Sequence, residues 1–127
     1  MYRTSRSSPL LLALACVMAL LGPGRAQAHA RLLTATPAAH ATVTPPPLIR
    51  LVFSEALASA FSSLRLTDRD GHAVALKSVA GDGDSTLQAT PAAPLQPGLY
   101  TIWWIAVSTD DGHKVSGSFS FTVKAPD

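Results

Sequence analysis

The sequence predicts an all-β fold for residues 29–127, a Greek-key β-sandwich or barrel of immunoglobulin-like type with about seven strands. From Arg31 onward, short runs of strand-forming residues alternate with turns rich in proline and glycine. No segment of ten or more residues places its apolar side chains at helical spacing. The two strongest strand patterns come last, at residues 99–107 and 115–123. These observations together predict a single β domain.

Each predicted strand is bounded by residues that favour turns. In chain order, the strands after the first segment are expected at residues 49–53, 64–67, 73–79, 85–90, 99–107 and 115–123. Residues 44–47 include three prolines, which donate no backbone N–H, so this stretch is a rigid connector rather than a paired strand. Residues 64–67 and 73–79 are expected to form a hairpin, because an Asp- and Gly-containing turn separates them.

The last two strands differ in how their apolar residues alternate. Residues 99–107 are apolar on both faces, which predicts a central strand covered on both sides, with Trp103 and Trp104 in the core. Residues 115–123 alternate apolar and polar side chains, which is typical of a strand with one face in water.

The first 28 residues have the layout of a secretory signal peptide. Two arginines precede an apolar run at residues 9–21, and Ala26 and Ala28 supply the small residues of a cleavage site. Cleavage after Ala28 leaves a 99-residue domain with seven Lys and Arg against eight Asp and Glu, a net charge of −1. That balance argues for neither nucleic acid nor an anionic surface as a partner. The alternative is a lipoprotein signal ending at Cys16.

Two segments offer metal ligands. Cleavage makes His29 the first residue, and its α-amino nitrogen and ring Nδ1 can close a six-membered chelate on one ion. In the segment 110–113, Asp111 and His113 point to the same side if the backbone is extended. Taken singly, His29 is a residue that merely happens to follow the cleavage site, and segment 110–113 is a polar turn between two strands. Taken together, they form a set of three nitrogens and one oxygen.

This donor set suits copper(II), which favours nitrogen-rich, tetragonal sites. Zinc is the competitor, since it also accepts His and Asp, although Cu²⁺ exceeds Zn²⁺ in the usual order of affinity. Copper(I) favours thiolate and thioether ligands, whereas residues 29–127 contain neither Cys nor Met. We therefore expect one Cu(II) ion per mature chain.

Short motifs along nearly the whole of the mature chain resemble one family. They are His29-Ala30, Pro37-Ala38, Leu51-Val52-Phe53-Ser54-Glu55, Leu95-x-Pro97-Gly98-x-Tyr100, Trp104, Ser108 and Asp111-Gly112-His113-x-Val115-x-Gly117. This combination resembles the CopC family of periplasmic copper-binding proteins. The resemblance implies a β-sandwich or barrel that holds Cu(II) through the N-terminal His amine and imidazole and an Asp-x-His motif, here His29, Asp111 and His113.

The resemblance implies further features. Glu55 would lie near the copper and accept a hydrogen bond from a ligand or a bound water molecule without binding the ion. The alternative is that Glu55 is a solvated acid at the end of a strand. An inner-membrane CopD-like transporter or another periplasmic copper protein would be the partner. Some members add a methionine-rich Cu(I) site, which residues 67–74 lack. The segment before Gly112 is one residue longer than the family's usual Ser-x-Asp-Gly-His, so Asp110 competes with Asp111, although spacing favours Asp111.

The sequence thus predicts a periplasmic Cu(II)-binding protein for copper homeostasis or resistance, which sequesters or transfers copper and is not an enzyme. No catalytic triad is indicated, because no general base accompanies the serines. His40 and His72 are expected to be surface histidines. Two alternatives stay open: a copper monooxygenase with an N-terminal histidine brace, and a metal-free immunoglobulin-like interaction module.

Overall fold

The computed structural model describes residues 29–81 and 85–126, which form a sandwich of two β-sheets. The predicted signal peptide lies outside the described residues. The strands are β1 (Leu32–Thr36), β2 (Thr42–Val43), β3 (Ile49–Phe53), β4 (Ser63–Asp68), β5 (Ala73–Val74), β6 (Leu76–Gly81), β7 (Thr86–Pro91), β8 (Gly98–Val107) and β9 (Lys114–Val123). No helix in the described ranges is long and apolar enough to cross a membrane.

The order of the strands confirms the predicted fold class. The first sheet has the order β1-β3-β7-β6 and the second has the order β2-β9-β8-β4-β5. All neighbouring strands are antiparallel except β2 and β9. The runs β1-β3-β7-β6 and β9-β8-β4 match the A-B-E-D and G-F-C orders of the immunoglobulin sandwich. Two of the nine strands are only two residues long, so the seven longer ones correspond to the expected number.

The predicted strand 73–79 is wrong in one respect, because it divides between the two sheets. β5 pairs with β4 through Leu66 and Val74 in the second sheet, whereas β6 pairs with β7 in the first. The crossing occurs at Ala75, whose carbonyl accepts the backbone N–H of Ala92 at 3.0 Å. The sequence does not mark this point, because a strand that changes sheets keeps its extended backbone and changes only its partners.

The core lies between the two sheets. Its largest fully buried apolar side chains are Phe53, Phe121, Ile49, Leu51, Leu66, Leu87, Ile102 and Val123. Trp104 is 9% exposed and packs edge-on against Phe53, with the ring centroids 5.1 Å apart. Burial of each large apolar side chain stabilises the fold by about 1.5–3 kcal/mol, so this layer supplies most of the favourable free energy of folding.

The expectation that β8 is covered on both sides is wrong. Its inner residues are buried, but Leu99 is 37% and Trp103 42% exposed on the outer face of the second sheet. The Trp103 indole N–H donates to Thr67 Oγ1 at 2.9 Å, and the Arg65 guanidinium carbon lies 5.4 Å from the Trp103 ring centroid. A two-layer sandwich leaves the outer face of each sheet to solvent, so Trp103 is a surface residue and only Trp104 is a core residue.

Tyr100 holds the loop that leads into β8 by a hydrogen bond. Its hydroxyl donates to the carbonyl of Gln96 at 2.7 Å, which is the tyrosine corner of immunoglobulin-like domains. Burial, with a smaller contribution from the negative charge of Asp68, raises the pKa of Tyr100 above its ordinary value of 10.0. The phenol therefore stays protonated and remains a donor throughout the physiological range.

Substitution of Tyr100 by Phe is expected to lower the free energy of unfolding by about 1 kcal/mol, because the Gln96 carbonyl loses its side-chain donor. Thermal unfolding of the metal-free protein should show a Tm about 4–8 °C lower. Thr101→Val is the control, since the Thr101 hydroxyl meets that of Ser120 at 3.3 Å on the outer face, and it should cost less than about 0.5 kcal/mol. Equal Tm values for the two variants would contradict a specific role for the corner.

Candidate metal centre

The segment that carries His29 is held against the end of β3. Ala30 is 1% exposed and belongs to the core. The Arg31 N–H donates to Ser54 Oγ at 2.8 Å, and the Ser54 N–H donates to the Arg31 carbonyl at 2.8 Å. These two bonds and the β1–β3 pairing fix the backbone that follows His29, while the side chain of His29 itself is exposed.

The second segment is the loop of residues 108–113 between β8 and β9, which we call the ligand loop. It closes on itself, since the Ser108 N–H donates to the His113 carbonyl at 3.1 Å and the Gly112 N–H donates to the Ser108 carbonyl at 3.0 Å. Gly112 has a φ of +67°, in the left-handed region that glycine adopts without steric cost. The Asp-Gly-His sequence therefore suits a tight turn that returns His113 to the end of β8.

The fold brings the side chains of His29 and His113 together. Their ring centroids are 3.8 Å apart and the ring planes are inclined by 29°, so the imidazoles are stacked. Both residues are exposed, and they approach from opposite sheets, His29 beside β1 and His113 beside β9. The fold thus brings two of the predicted ligands to the same place on the surface, although 83 residues lie between them in the chain.

Asp111 lies in the same loop but is turned toward the backbone. Its Oδ1 accepts the backbone N–H of His113 at 2.9 Å. Asp110 bonds through its backbone instead, since its N–H donates to Ser108 Oγ at 3.3 Å. Within the described part of the chain, no choice of one donor atom each from His29, Asp111 and His113 places all three within 4.8 Å of one another.

Coordination of one ion by all three residues requires side-chain rotation from this arrangement. Bonds of about 2 Å to a transition metal place its donor atoms at most about 4 Å apart. Stacked imidazoles direct their in-plane lone pairs side by side rather than toward one point, so at least one of the rings of His29 and His113 must turn. Both side chains are exposed, which leaves room for that rotation.

Glu55 contacts the ligand loop through a buried serine. The Ser108 hydroxyl donates to Glu55 Oε2 at 2.8 Å, and Ser108 is 1% exposed. Residues 56–58, which follow Glu55, run along the end of β8. The Ala58 N–H donates to the Val107 carbonyl at 2.8 Å, and the Thr109 N–H donates to the Ala56 carbonyl at 3.0 Å. Glu55 is therefore attached to the loop that carries Asp111 and His113, and its role toward a bound ion stays a prediction.

Sequence reasoning missed the roles of Ser54 and Ser108. Both lie within the motifs that carry the family resemblance, yet in the sequence they are ordinary polar residues at strand ends. Ser54 bonds to a residue 23 positions away, and Ser108 bonds to one 53 positions away. Such partners become apparent only when the sheets are paired.

A second group of potential ligands lies at the turn between β4 and β5. Donor atoms of Asp68, Asp70 and His72 lie within 4.8 Å of one another. Asp68 Oδ1 accepts the backbone N–H groups of Asp70 and His72, each at 2.9 Å, and Asp68 Oδ2 is 3.7 Å from His72 Nδ1. His72 is 79% exposed, as expected for a surface histidine. The hydrogen bonds of a closed polar turn account for this grouping.

Comparison with known proteins identifies the family. The CopC domain model matches residues 32–124. Copper resistance protein C of Pseudomonas syringae pv. tomato is 41% identical over 106 residues, which cover 78% of this chain and 83% of that protein. Protein YobA of Escherichia coli (strain K12) is 38% identical over 127 residues, covering 98% of this chain and 100% of that protein. The crystal structure of PcoC, a methionine-rich copper resistance protein from Escherichia coli, matches with a TM-score of 0.68 and 39% identity, covering 76% of this chain and 100% of that one. The chain therefore belongs to the CopC family.

Proposed function

We propose that the mature protein binds one Cu(II) ion in the periplasm and sequesters or transfers it for copper homeostasis or resistance. The observation that carries this proposal is the contact between the rings of His29 and His113, 3.8 Å apart. Two imidazoles and the adjacent Asp111 carboxylate supply three of the four donors of a tetragonal copper site. The relatives named copper resistance protein C support copper as the ion.

The fourth donor depends on cleavage of the chain. In the uncleaved protein the nitrogen of His29 belongs to a peptide bond with Ala28, and it becomes an amine only when the signal peptide is removed after Ala28. Export and maturation therefore complete the site in this proposal. Because the exposed end of the chain carries half of the donors, an inner-membrane CopD-like transporter or another periplasmic copper protein would have access to the ion.

The chemistry of the donors favours storage or transfer over redox catalysis. PcoC is methionine-rich, whereas residues 29–127 of this chain contain no Met and no Cys to stabilise Cu(I). The carboxylate of Asp111 adds negative charge, which favours Cu(II) over Cu(I) and opposes redox cycling. These features support a Cu(II) carrier rather than a monooxygenase.

Equilibrium dialysis of the exported protein against Cu(II) tests the proposal, after mass spectrometry has established that the chain begins at His29. We expect one tightly bound ion per chain, and we expect His113→Ala to weaken binding more than about 100-fold, because loss of a ligand exceeds the 10–100-fold typical of lost outer hydrogen bonds. His72→Ala is the matched control and should bind as the unmodified protein does. No stoichiometric uptake would favour a metal-free interaction module, and ascorbate-dependent peroxide production would favour the monooxygenase.

A further inference from the structure

Ser108 is the buried junction between the ligand loop and the rest of the fold. Its backbone N–H and carbonyl bond to His113 and Gly112, at 3.1 and 3.0 Å. Its hydroxyl donates to Glu55 Oε2 at 2.8 Å and receives the backbone N–H of Asp110 at 3.3 Å. With 1% of its surface exposed, Ser108 uses every polar group it has, and three of these four bonds hold the ligand loop.

The bond to Glu55 is the one that reaches outside the loop. Glu55 follows β3 in the first sheet, the sheet whose first strand follows His29. Ser54, the neighbour of Glu55, bonds to Arg31 and so holds the His29 segment. The two adjacent residues Ser54 and Glu55 therefore connect to the two halves of the candidate metal centre, one to each.

We propose that Ser108 is a positioning residue for copper binding: its hydroxyl fixes the ligand loop to Glu55 and so sets where Asp111 and His113 stand relative to His29. The inference rests on the proposed function, because it concerns the same ion. Since the side chains must rotate to bind, the backbone that carries them has to be held in place for the rotation to end at a common point. Ser108 holds that backbone without contacting the ion.

Ser108→Ala removes the hydroxyl with the smallest change in volume. The Glu55 carboxylate then loses its buried donor and the Asp110 N–H loses its acceptor. We expect Cu(II) affinity, measured by competition with a chelator of known affinity, to fall about 10–100-fold, which is typical for lost hydrogen bonds around metal ligands. The electron paramagnetic resonance spectrum of the Cu(II) form should show broadened hyperfine lines, because the ligands are held less uniformly.

Ser62→Ala is the matched control. Ser62 Oγ accepts the backbone N–H of Val107 at 3.0 Å, so it serves the same end of β8 without reaching the ligand loop. This variant should keep Cu(II) affinity within about two-fold of the unmodified protein, whatever its Tm. If Ser108→Ala keeps the affinity and the spectrum of the unmodified protein, or if both variants lose affinity equally, the positioning role is refuted.

Glu55 variants test the same link if Ser108→Ala fails to fold. Glu55→Gln keeps a side-chain oxygen for the Ser108 hydroxyl, so it should retain affinity, whereas Glu55→Ala should lose it about as Ser108→Ala does. Where the double variant Ser108→Ala with Glu55→Ala folds, it should lose no more Cu(II) affinity than the single variant that binds Cu(II) more weakly. Equal losses for Glu55→Gln and Glu55→Ala would show that Glu55 acts through its charge, which overturns the proposal.

The unmodified protein and a form with three glycines added before His29 are measured in parallel. If the unmodified protein takes up no Cu(II), or the added glycines change nothing, the proposed function fails. If the added glycines abolish binding while Ser108→Ala and Glu55→Ala bind normally, only the positioning role fails.

Discussion

Three glycines added before His29 in the mature protein are expected to weaken Cu(II) binding more than about 100-fold, which exceeds the 10–100-fold loss typical of lost outer hydrogen bonds. The addition turns the α-amine of His29 back into a peptide nitrogen, and the spacer is long enough that the new amine and the His29 ring do not share the fused chelate rings that a Gly-His or Gly-Gly-His terminus would form. The His29 ring remains available, so the effect isolates the amine. Chelator competition gives the affinity, and the visible absorption of Cu(II) should shift as one nitrogen ligand is lost.

The same three glycines added after Asp127 are the control, because they lengthen the chain equally and leave His29 first. The structure predicts no loss of stability from the N-terminal addition, since His29 is exposed and the bonds that hold its segment begin at Arg31. An N-terminally extended protein with unchanged affinity and an unchanged spectrum would remove His29 from the proposed site.

Gly117→Ala is expected to have the largest effect on stability. Gly117 pairs with Trp104 across β8 and β9. A Cβ at Gly117 would overlap Cζ2 of the Trp104 indole and stand 2.8 Å from its Cε2. The indole cannot move away freely, since it is 9% exposed and packs edge-on against Phe53. Overpacking of this kind costs about 1–3 kcal/mol, and a loss of about 2 kcal/mol lowers the Tm by about 8–16 °C.

Thermal unfolding of the metal-free protein measures this loss, with Ser118→Ala as the matched control. Ser118 is the next residue on β9 and is exposed on the outer face, so its substitution should change stability by less than about 0.5 kcal/mol. A Gly117→Ala protein that unfolds at the temperature of the control would mean that the Trp104 indole shifts without cost.

The fold class was predictable because turn residues and alternation are local properties of a sequence. The division of residues 73–79 at Ala75 was not, because both halves are extended and differ only in which sheet they join. Alternation correctly placed Trp103 and Trp104 on opposite faces, but it does not say how many layers cover a sheet. Trp103 was therefore assigned to the core, although it is 42% exposed.

The candidate metal centre was predictable to a different extent. His29 and the Asp-x-His motif were found from the cleavage pattern, donor chemistry and family resemblance, and the structure places the His29 and His113 rings in contact. The link from Ser108 to Glu55 is a side-chain hydrogen bond between residues 53 positions apart. No local pattern encodes such a partner, whereas the Asp111 side-chain bond to His113 spans only two residues.

The contact between His29 and His113 joins the two layers of the sandwich at one end. His29 precedes β1 of the first sheet and His113 precedes β9 of the second. Antibody domains connect their sheets with a disulfide, but residues 29–127 contain no cysteine. An ion held by both histidines would be a reversible cross-link between the sheets, so the metal-bound protein would resist unfolding more than the metal-free protein.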